Sequence, residues 1–162
     1  MSRADCNRQT IDASEQSIYG SSGRMIEIDG SEGEGGGQIV RNACALSLIT
    51  GKPFRISNVR GKREKPGLMR QHVTAIEAAC AIGSATCDGL AVGSCDITFT
   101  PGQVVPGTYR FAVGTAGSTG LVLQTVLMPL LFAASPSRLV LEGGTHNMQA
   151  PPFEFIAETY LP

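Results

Sequence analysis

Alternation of apolar and polar positions marks the first regular element of the chain. Ile26 and Ile28 alternate with charged neighbours, as in a half-buried strand. A glycine-rich loop at residues 30–37 follows, and apolar positions then recur at helical spacing over residues 38–50. The pattern therefore predicts a strand, a loop and a helix in succession.

The inward faces of the first two helices are predicted from the same spacing. The second helix begins after Pro66 and ends near Gly83. The stripes assigned to the core are Ile39, Ala43 and Leu46 on the first helix, and Met69, Val73, Ile76 and Cys80 on the second.

Later elements repeat this order at an offset of about 81 to 85 residues. In the first unit, further strands are predicted at 54–56, 85–88 and 95–99. In the second unit, a strand is predicted at 109–113, a buried helix at 121–134, a strand at 139–141 and a helix that Pro152 begins. The sequence thus predicts two tandem units with the order strand, loop, helix, strand, loop, helix, and the first unit adds a pair of strands. We expect a disordered extension at 1–24, a first repeat at 25–102 and a truncated, incomplete second repeat at 103–162.

Composition and charge narrow the class of protein. The 162 residues are 42% hydrophobic and 17% charged, which is typical of a soluble globular chain that buries a core. The net charge of -1 excludes a basic field over the whole protein, so any surface for a polyanion must be local. The apolar run at 121–134 is too short to cross a bilayer. Five cysteines without a CxxC pair favour a reducing compartment, so we expect the cytoplasm, or the nucleus in a eukaryote.

The glycine-rich loop carries acidic residues where a helix begins. Backbone N–H groups at a helix N-terminus attract anions, and glycine lets a phosphate approach them closely. The loop lacks the Lys-Ser/Thr pair of a P-loop, and it contains Glu32 and Glu34. Each carboxylate would repel a triphosphate by about 1 to 4 kcal/mol at contact distance unless a divalent cation bridged them. The loop therefore indicates metal-bridged nucleotide binding; a flexible turn with solvated acids is the alternative.

Two further features suggest ligand contacts. Basic residues are concentrated between Arg60 and His72, and arginine binds phosphate as a planar fork. The alternative is a solvated loop, with His72 as a satisfied histidine at the edge of the core. Gln124 interrupts an apolar helix and needs a partner in the protein or in a ligand, because a buried, unpaired amide is costly. To His146, a lone loop histidine, we assign no role.

Several motifs, taken together and in order, resemble the RNA 3'-terminal phosphate cyclase family over residues 25–162. They are Glu34-Gly-Gly-Gly-Gln-Ile-Val-Arg41, Arg60-Gly-Lys-Arg63, Lys65-Pro-Gly-Leu-Met-Arg-Gln-His72, Ala116-Gly-Ser118 with Gln124, and Gly143-Gly-Thr145 with Ala150-Pro-Pro152. The resemblance implies an α+β fold of tandem repeats, each with two helices on a four-stranded sheet, shared distantly with enolpyruvyl transferases. It also implies an ATP- and metal-dependent ligase that converts an RNA 3'-phosphate into a 2',3'-cyclic phosphodiester through enzyme–AMP and RNA–adenylate intermediates.

Roles transfer from the family residue by residue. Glu34 matches the acid expected to hold Mg²⁺ or Mn²⁺ near the ATP phosphates, and Gln124 matches a second polar contact to that metal. Pro151 matches an apolar wall for adenine. The nucleotide loop consists of Gly35, Gly36 and Gly37, and the basic pocket for the RNA end or the triphosphate consists of Arg41, Arg60, Arg63, Gln71 and His72.

The resemblance has one large departure. The nucleophilic histidine of the family lies beyond residue 162, and neither His72 nor His146 occupies its motif. We therefore expect no self-adenylation by this chain alone and cyclase activity in the full gene product. Two alternatives remain. A noncatalytic cyclase-like RNA-binding factor of ribosome biogenesis should have lost the loop acid and the basic pocket, and an enolpyruvyl transferase would not need the polybasic loop with its Gln-His pair.

Overall fold

Residues 24–114, 117–148 and 150–161 are described by the structure, a computed structural model of the chain. Apart from Arg24, the predicted extension at 1–24 lies outside these residues. The strands are β1 (Ile26–Asp29), β2 (Phe54–Ser57), β3 (Thr86–Asp88), β4 (Ile97–Thr100), β5 (Thr108–Ala112) and β6 (Arg138–Glu142). The helices are α1 (Gln38–Thr50), α2 (Arg70–Gly83), α3 (Thr119–Leu131) and the short α4 (Phe153–Phe155), which continues as a π-helical turn (Ile156–Tyr160).

The strands form two sheets. The four-stranded sheet has the order β1-β2-β4-β3, with β1 and β2 parallel and the other neighbours antiparallel. Strands β5 and β6 form a parallel two-stranded sheet. Each parallel pair is connected through a helix, α1 or α3, as parallel neighbours require. The predicted α+β class is confirmed, whereas the tandem repeat and the distant link with enolpyruvyl transferases stay predictions.

The hydrophobic core joins the long helices to the four-stranded sheet. Phe54 of β2 pairs with Phe99 of β4, and their ring centroids lie 5.4 Å apart. Burying a side chain of this size stabilises the fold by about 1.5–3 kcal/mol. Val40 of α1, Ile76 of α2 and Val122 of α3 belong to the same core. The three long helices also contact one another, so the core fixes their N-termini relative to the sheet.

The predicted inward faces of α1 and α2 are wrong in part. Leu46 is 60% exposed and Met69 is 43% exposed, whereas the row formed by Val40, Cys44 and Leu48 is buried. α1 contacts α2, α3 and two strands. Because it is apolar on several sides, spacing alone does not select the row that faces the core.

Predicted boundaries near the end of the chain also need correction. α3 ends at Leu131 and keeps the buried Pro129 inside its last turns, whereas Leu131 is 66% exposed, so the buried helix does not extend to residue 134. Pro152 is the N-cap of α4 rather than its first residue. Among the described residues, no helix combines the length and the apolarity that a membrane span needs.

Candidate functional site

Four loops follow the carboxyl ends of the parallel strands. Parallel neighbours end at the same sheet edge, which is where open α/β sheets bind ligands. The loops after β1 and β2 are joined by Lys62 Nζ, which donates to the Gly33 carbonyl at 3.3 Å. The loops after β5 and β6 are joined by the Thr119 N–H, which donates to the Gly144 carbonyl at 2.9 Å.

A cavity of about 870 Å³ lies between these loops, and residues of all four loops line it. The first loop contributes Glu34 and four glycines, the third contributes Ser118, and the fourth contributes Asn147 and Ala150. All five residues predicted for the basic pocket line this cavity: Arg41, Arg60, Arg63, Gln71 and His72. The fold therefore brings together the glycine loop and the basic segment, which lie apart in the sequence.

A smaller cavity of about 290 Å³ adjoins the first, and Gln38, Arg41 and Leu121 line both. Gln124 and Pro151, which were predicted to contact the nucleotide and its metal, line the smaller cavity and not the larger one. Its remaining wall includes Phe155, Ile156 and Tyr160. The sequence reasoning missed these three residues, because the aromatic side chains of Phe155 and Tyr160 after the Pro-Pro pair suggest an apolar surface but not which cavity it lines.

Arg41 lies between the two cavities and is only 9% exposed. Its Nε donates to Gln124 Oε1 at 3.2 Å, which provides the protein partner that Gln124 was predicted to need. Burial lowers the pKa of the Arg41 guanidinium, yet arginine stays charged in proteins. No carboxylate among the described residues lies within 4.0 Å of it. A buried charge without a counter-charge is strongly unfavourable, so Arg41 indicates an anionic ligand.

Glu34 and Arg63 face each other across the mouth of the larger cavity. Arg63 Nη2 lies 3.8 Å from Glu34 Oε2, and the Glu34 side chain is 96% exposed. An exposed pair of this kind contributes at most about 1 kcal/mol. Either partner can therefore exchange the other for a ligand at little cost.

Arg60 forms hydrogen bonds within the basic loop and also lines the larger cavity. Its backbone has a positive φ of 55°, and its Nη1 donates to the carbonyls of Lys65 and Gly67 at 2.7 and 2.9 Å. Burial and the charge of Arg63 lower the pKa of Arg60. A bound anion would relieve the repulsion between these two guanidiniums. The resemblance predicted only the ligand contact, because the hydrogen bonds within the loop depend on the fold.

His72 is buried at the start of α2, with 3% exposure. The Met69 N–H donates to His72 Nδ1 at 3.0 Å, so the ring caps the helix. A backbone amide can only donate, so Nδ1 carries no proton and the neutral ring holds its proton on Nε2. Burial, then Arg60 and Arg41, lower the pKa of His72 to about 4. The two interpretations from the sequence are thus compatible: His72 is a satisfied residue at the edge of the core and also lines the cavity.

The N-terminus of α1 opens onto the larger cavity without a side-chain cap. Gly37 is the N-cap, and the first turn contains no acidic residue. The first amides of a helix lack intrahelical acceptors, and the helix dipole adds positive potential there. The His72 ring packs directly on Gly37, where a Cβ atom would overlap Nε2. These features together would suit an anionic ligand.

His146 lies outside this arrangement. Its Nε2 is 3.1 Å from both carboxylate oxygens of Glu154, and its Nδ1 is 3.0 Å from Thr145 Oγ1. It lines neither of the two cavities.

Comparison with known proteins gives a match over most of the chain. The family described as RNA 3'-terminal phosphate cyclase matches residues 32–162. Proteins named RNA 3'-terminal phosphate cyclase from Koribacter versatilis (strain Ellin345), Ectopseudomonas mendocina (strain ymp) and Ralstonia nicotianae (strain ATCC BAA-1114 / GMI1000) are 58%, 56% and 55% identical to it over 138, 138 and 137 residues. Each alignment covers 85% of this chain but only 39% or 40% of the relative. The chain belongs to the RNA 3'-terminal phosphate cyclase family.

Proposed function

We propose that this site binds ATP with a divalent cation and the 3'-phosphate end of an RNA. In the complete protein, we propose, that end becomes a 2',3'-cyclic phosphodiester. The observation that carries the proposal is Arg41, a buried guanidinium between two adjoining cavities that has no carboxylate partner among the described residues. An anion in the cavity would stabilise such a charge, and a nucleotide triphosphate or a terminal phosphate supplies one.

The two cavities differ in a way that suits the two ends of a nucleotide. The smaller one has apolar and aromatic walls, including Pro151 and Tyr160, as a purine base requires. The larger one is lined by guanidiniums and by the N-terminus of α1, as phosphates require. A single nucleotide lying past Arg41 would occupy both.

Glu34 fits a divalent cation that phosphates help to hold. Among the described residues, no group of three His, Cys, Asp or Glu side chains could bind a metal without a substrate. Magnesium commonly binds through one or two carboxylates with substrate phosphates as further ligands, so one exposed carboxylate at the cavity is sufficient. When bound there, the cation would offset the repulsion between Glu34 and the phosphates.

The proposed reaction proceeds by nucleophilic catalysis. A histidine of the complete protein attacks the α-phosphorus of ATP, forming a P–N bond and releasing pyrophosphate. An oxygen of the RNA 3'-phosphate then accepts the AMP and frees the histidine. Finally the 2'-hydroxyl loses its proton, attacks the activated 3'-phosphorus and expels AMP, which is a far better leaving group than an oxide.

His72 is unsuited to the role of that nucleophile. The Nδ1 lone pair accepts the Met69 N–H, and Nε2 carries the proton of the neutral ring. The ring is also buried against Gly37. We therefore assign His72 to phosphate binding rather than to the covalent step.

Replacing Arg63 tests the proposal in the complete protein. Arg63→Ala should lower kcat/KM for an RNA bearing a 3'-phosphate by about ten- to hundred-fold, because a hydrogen bond to a charged group is worth about 1.5–3 kcal/mol. The measurement is the conversion of a labelled oligonucleotide from a phosphatase-sensitive to a phosphatase-resistant end in the presence of ATP and Mg²⁺. Arg138→Ala, at an exposed arginine that lines neither cavity, is the matched control.

Two results would count against the proposal. Equal rates for Arg63→Ala and Arg138→Ala would remove the basic loop from the site. If the unaltered protein produced no resistant end, the proposed reaction itself would be wrong.

A further inference from the structure

The glycine loop after β1 and the basic loop after β2 are hydrogen-bonded to each other where they leave the sheet. Asp29, the last residue of β1, accepts three hydrogen bonds at its Oδ1 atom. They come from Ser31 N–H at 2.9 Å, from Ser31 Oγ at 2.7 Å and from Asn58 Nδ2 at 3.3 Å. The bonds from Ser31, and then the bond from Asn58, lower the pKa of Asp29, so the carboxylate is ionised at neutral pH and only accepts. One oxygen atom thus joins the first residues of both loops.

The backbones of the two loops also pack closely on each other. A Cβ atom on Gly30 would lie 2.9 Å from Val59 Cα. Further along, a Cβ atom on Gly35 would lie 3.2 Å from Lys62 Cβ, and Lys62 Nζ donates to the Gly33 carbonyl at 3.3 Å. Because such contacts transmit displacement, the position of the glycine loop depends on its fit against the basic loop.

The basic loop has anchors of its own. The Val59 N–H donates to the Cys95 carbonyl at 2.9 Å, and Arg60 Nη1 donates to the carbonyls of Lys65 and Gly67. Loss of the carboxylate at the end of β1 should therefore displace the glycine loop more than the basic loop.

Asp29 is outside both cavities, although residues that follow it line the larger one. Its side chain is exposed, and substitutions at exposed positions usually change stability little. Glu34 and Arg63, from the two loops, line the larger cavity. The carboxylate of Asp29 can thus affect the site only through the placement of other side chains.

We infer that Asp29 is a positioning residue, which fixes the glycine loop against the basic loop and so holds Glu34 opposite Arg63 at the mouth of the larger cavity. The inference rests on the proposed function, in that Glu34 holds Mg²⁺ together with the ATP phosphates. Glu34 and Arg63 form an exposed pair at 3.8 Å, which is too weak to hold the loops by itself. A misplacement of about 1 Å can cost a site up to about a hundred-fold, so the link at the base of the loops has a measurable effect.

Asp29→Ala in the complete protein tests the inference through the affinity that Mg²⁺ adds to nucleotide binding. Calorimetry measures the affinity for a non-hydrolysable ATP analogue with Mg²⁺, and again with EDTA in its place. The ratio of the two affinities should fall about three- to ten-fold, because Glu34 is no longer held where it shares the cation with the phosphates. Binding in EDTA depends on the arginines and on the N-terminus of α1, so it should change by less than about two-fold. The melting temperature should change little.

Three further variants separate positioning from general damage. Asp29→Asn keeps an oxygen acceptor at Oδ1 and should restore the ratio to within about two-fold of the unaltered protein. Asn58→Gly removes the donor on the opposite loop, and glycine accepts the positive φ of 53°, so the ratio should fall about three-fold. Asp88→Ala is the matched control, since Asp88 is an exposed aspartate that ends β3 of the same sheet and lines neither cavity.

The contrary results are distinct. An unchanged ratio in Asp29→Ala, or an equal loss with Mg²⁺ and with EDTA, would overturn the inference and leave the proposed function intact. An equal loss in Asp29→Asn would assign the effect to charge rather than to the shared hydrogen bonds, which also contradicts the inference. If Asp29→Ala does not fold, Asn58→Gly decides, and an unaltered ratio there counts against the inference. If the unaltered protein bound the analogue no better with Mg²⁺ than with EDTA, the proposed function would fail together with the inference.

Discussion

Replacing Arg41 with methionine, together with Gln124→Leu, is expected to weaken nucleotide binding about a hundred-fold while leaving the fold as stable as before or more so. The double change removes a buried guanidinium and the amide whose Oε1 accepts from its Nε at 3.2 Å. Replacing buried charged and polar groups by apolar side chains of similar size is often neutral or stabilising. Changing Arg41 alone would leave Gln124 without this donor, at a cost of about 1–3 kcal/mol.

The loss of affinity should be large because Arg41 is 9% exposed and touches both cavities. A dehydrated, charge-assisted contact of this kind is worth about 3 kcal/mol, or a factor of about a hundred in affinity for a non-hydrolysable ATP analogue with Mg²⁺. Calorimetric titration and thermal unfolding measure the two effects. Arg55→Met is the control, since Arg55 pairs with Asp96 at 2.8 Å and lines neither cavity. A double variant that is much less stable yet binds normally would show that Arg41 has a structural role only.

Gly37→Ala is expected to damage both stability and binding through a single steric overlap. The φ of Gly37 is -68°, which alanine adopts easily, so backbone strain is not the cause. A Cβ atom at this position would overlap Nε2 of the buried His72 ring. Such overpacking costs about 1–3 kcal/mol, and displacement of the ring or of the loop should weaken nucleotide binding about ten-fold or more.

Gly33→Ala is the matched control within the same loop. Gly33 has a positive φ of 56° but open space around its Cα, so it should lose only about 1–2 kcal/mol, with nucleotide affinity changed little. A double-mutant cycle of Gly37→Ala with His72→Ala identifies the source of the effect. The smaller ring-free side chain should recover much of the lost free energy of unfolding. Strictly additive losses would show that the two residues do not interact as described.

Local signals in the sequence located α1 correctly, whereas they misplaced the face that it buries. Gly37 and Gly51 flank α1, and both bounds, Gln38 and Thr50, agree with the prediction. The same helix exposes Leu46, because contacts with other helices select the buried row. A local sequence pattern can indicate where a helix begins and ends, but it carries no information on which other elements pack against that helix.

The site shows the same division between local and tertiary information. The residues predicted for the basic pocket line one cavity, because loops after parallel strands meet at one edge. The bond between Arg41 and Gln124 joins residues 83 positions apart, so sequence reasoning predicted that Gln124 needs a partner but not which one. The proton state of His72 likewise depends on Met69 and on burial. Tyr160 was missed because only the folded chain brings it to the smaller cavity.

The central claim is that the glycine loop and the basic loop form one anion site at the N-terminus of α1. Amide ¹H–¹⁵N spectra recorded during titration with a non-hydrolysable ATP analogue and Mg²⁺ examine it most directly. We predict saturable shifts that are largest at Gly36, Gly37 and Gln38, together with the Arg41 and Arg63 side chains, all of which line the larger cavity. Shifts confined to residues outside the two cavities, or a titration without saturation, would contradict the account.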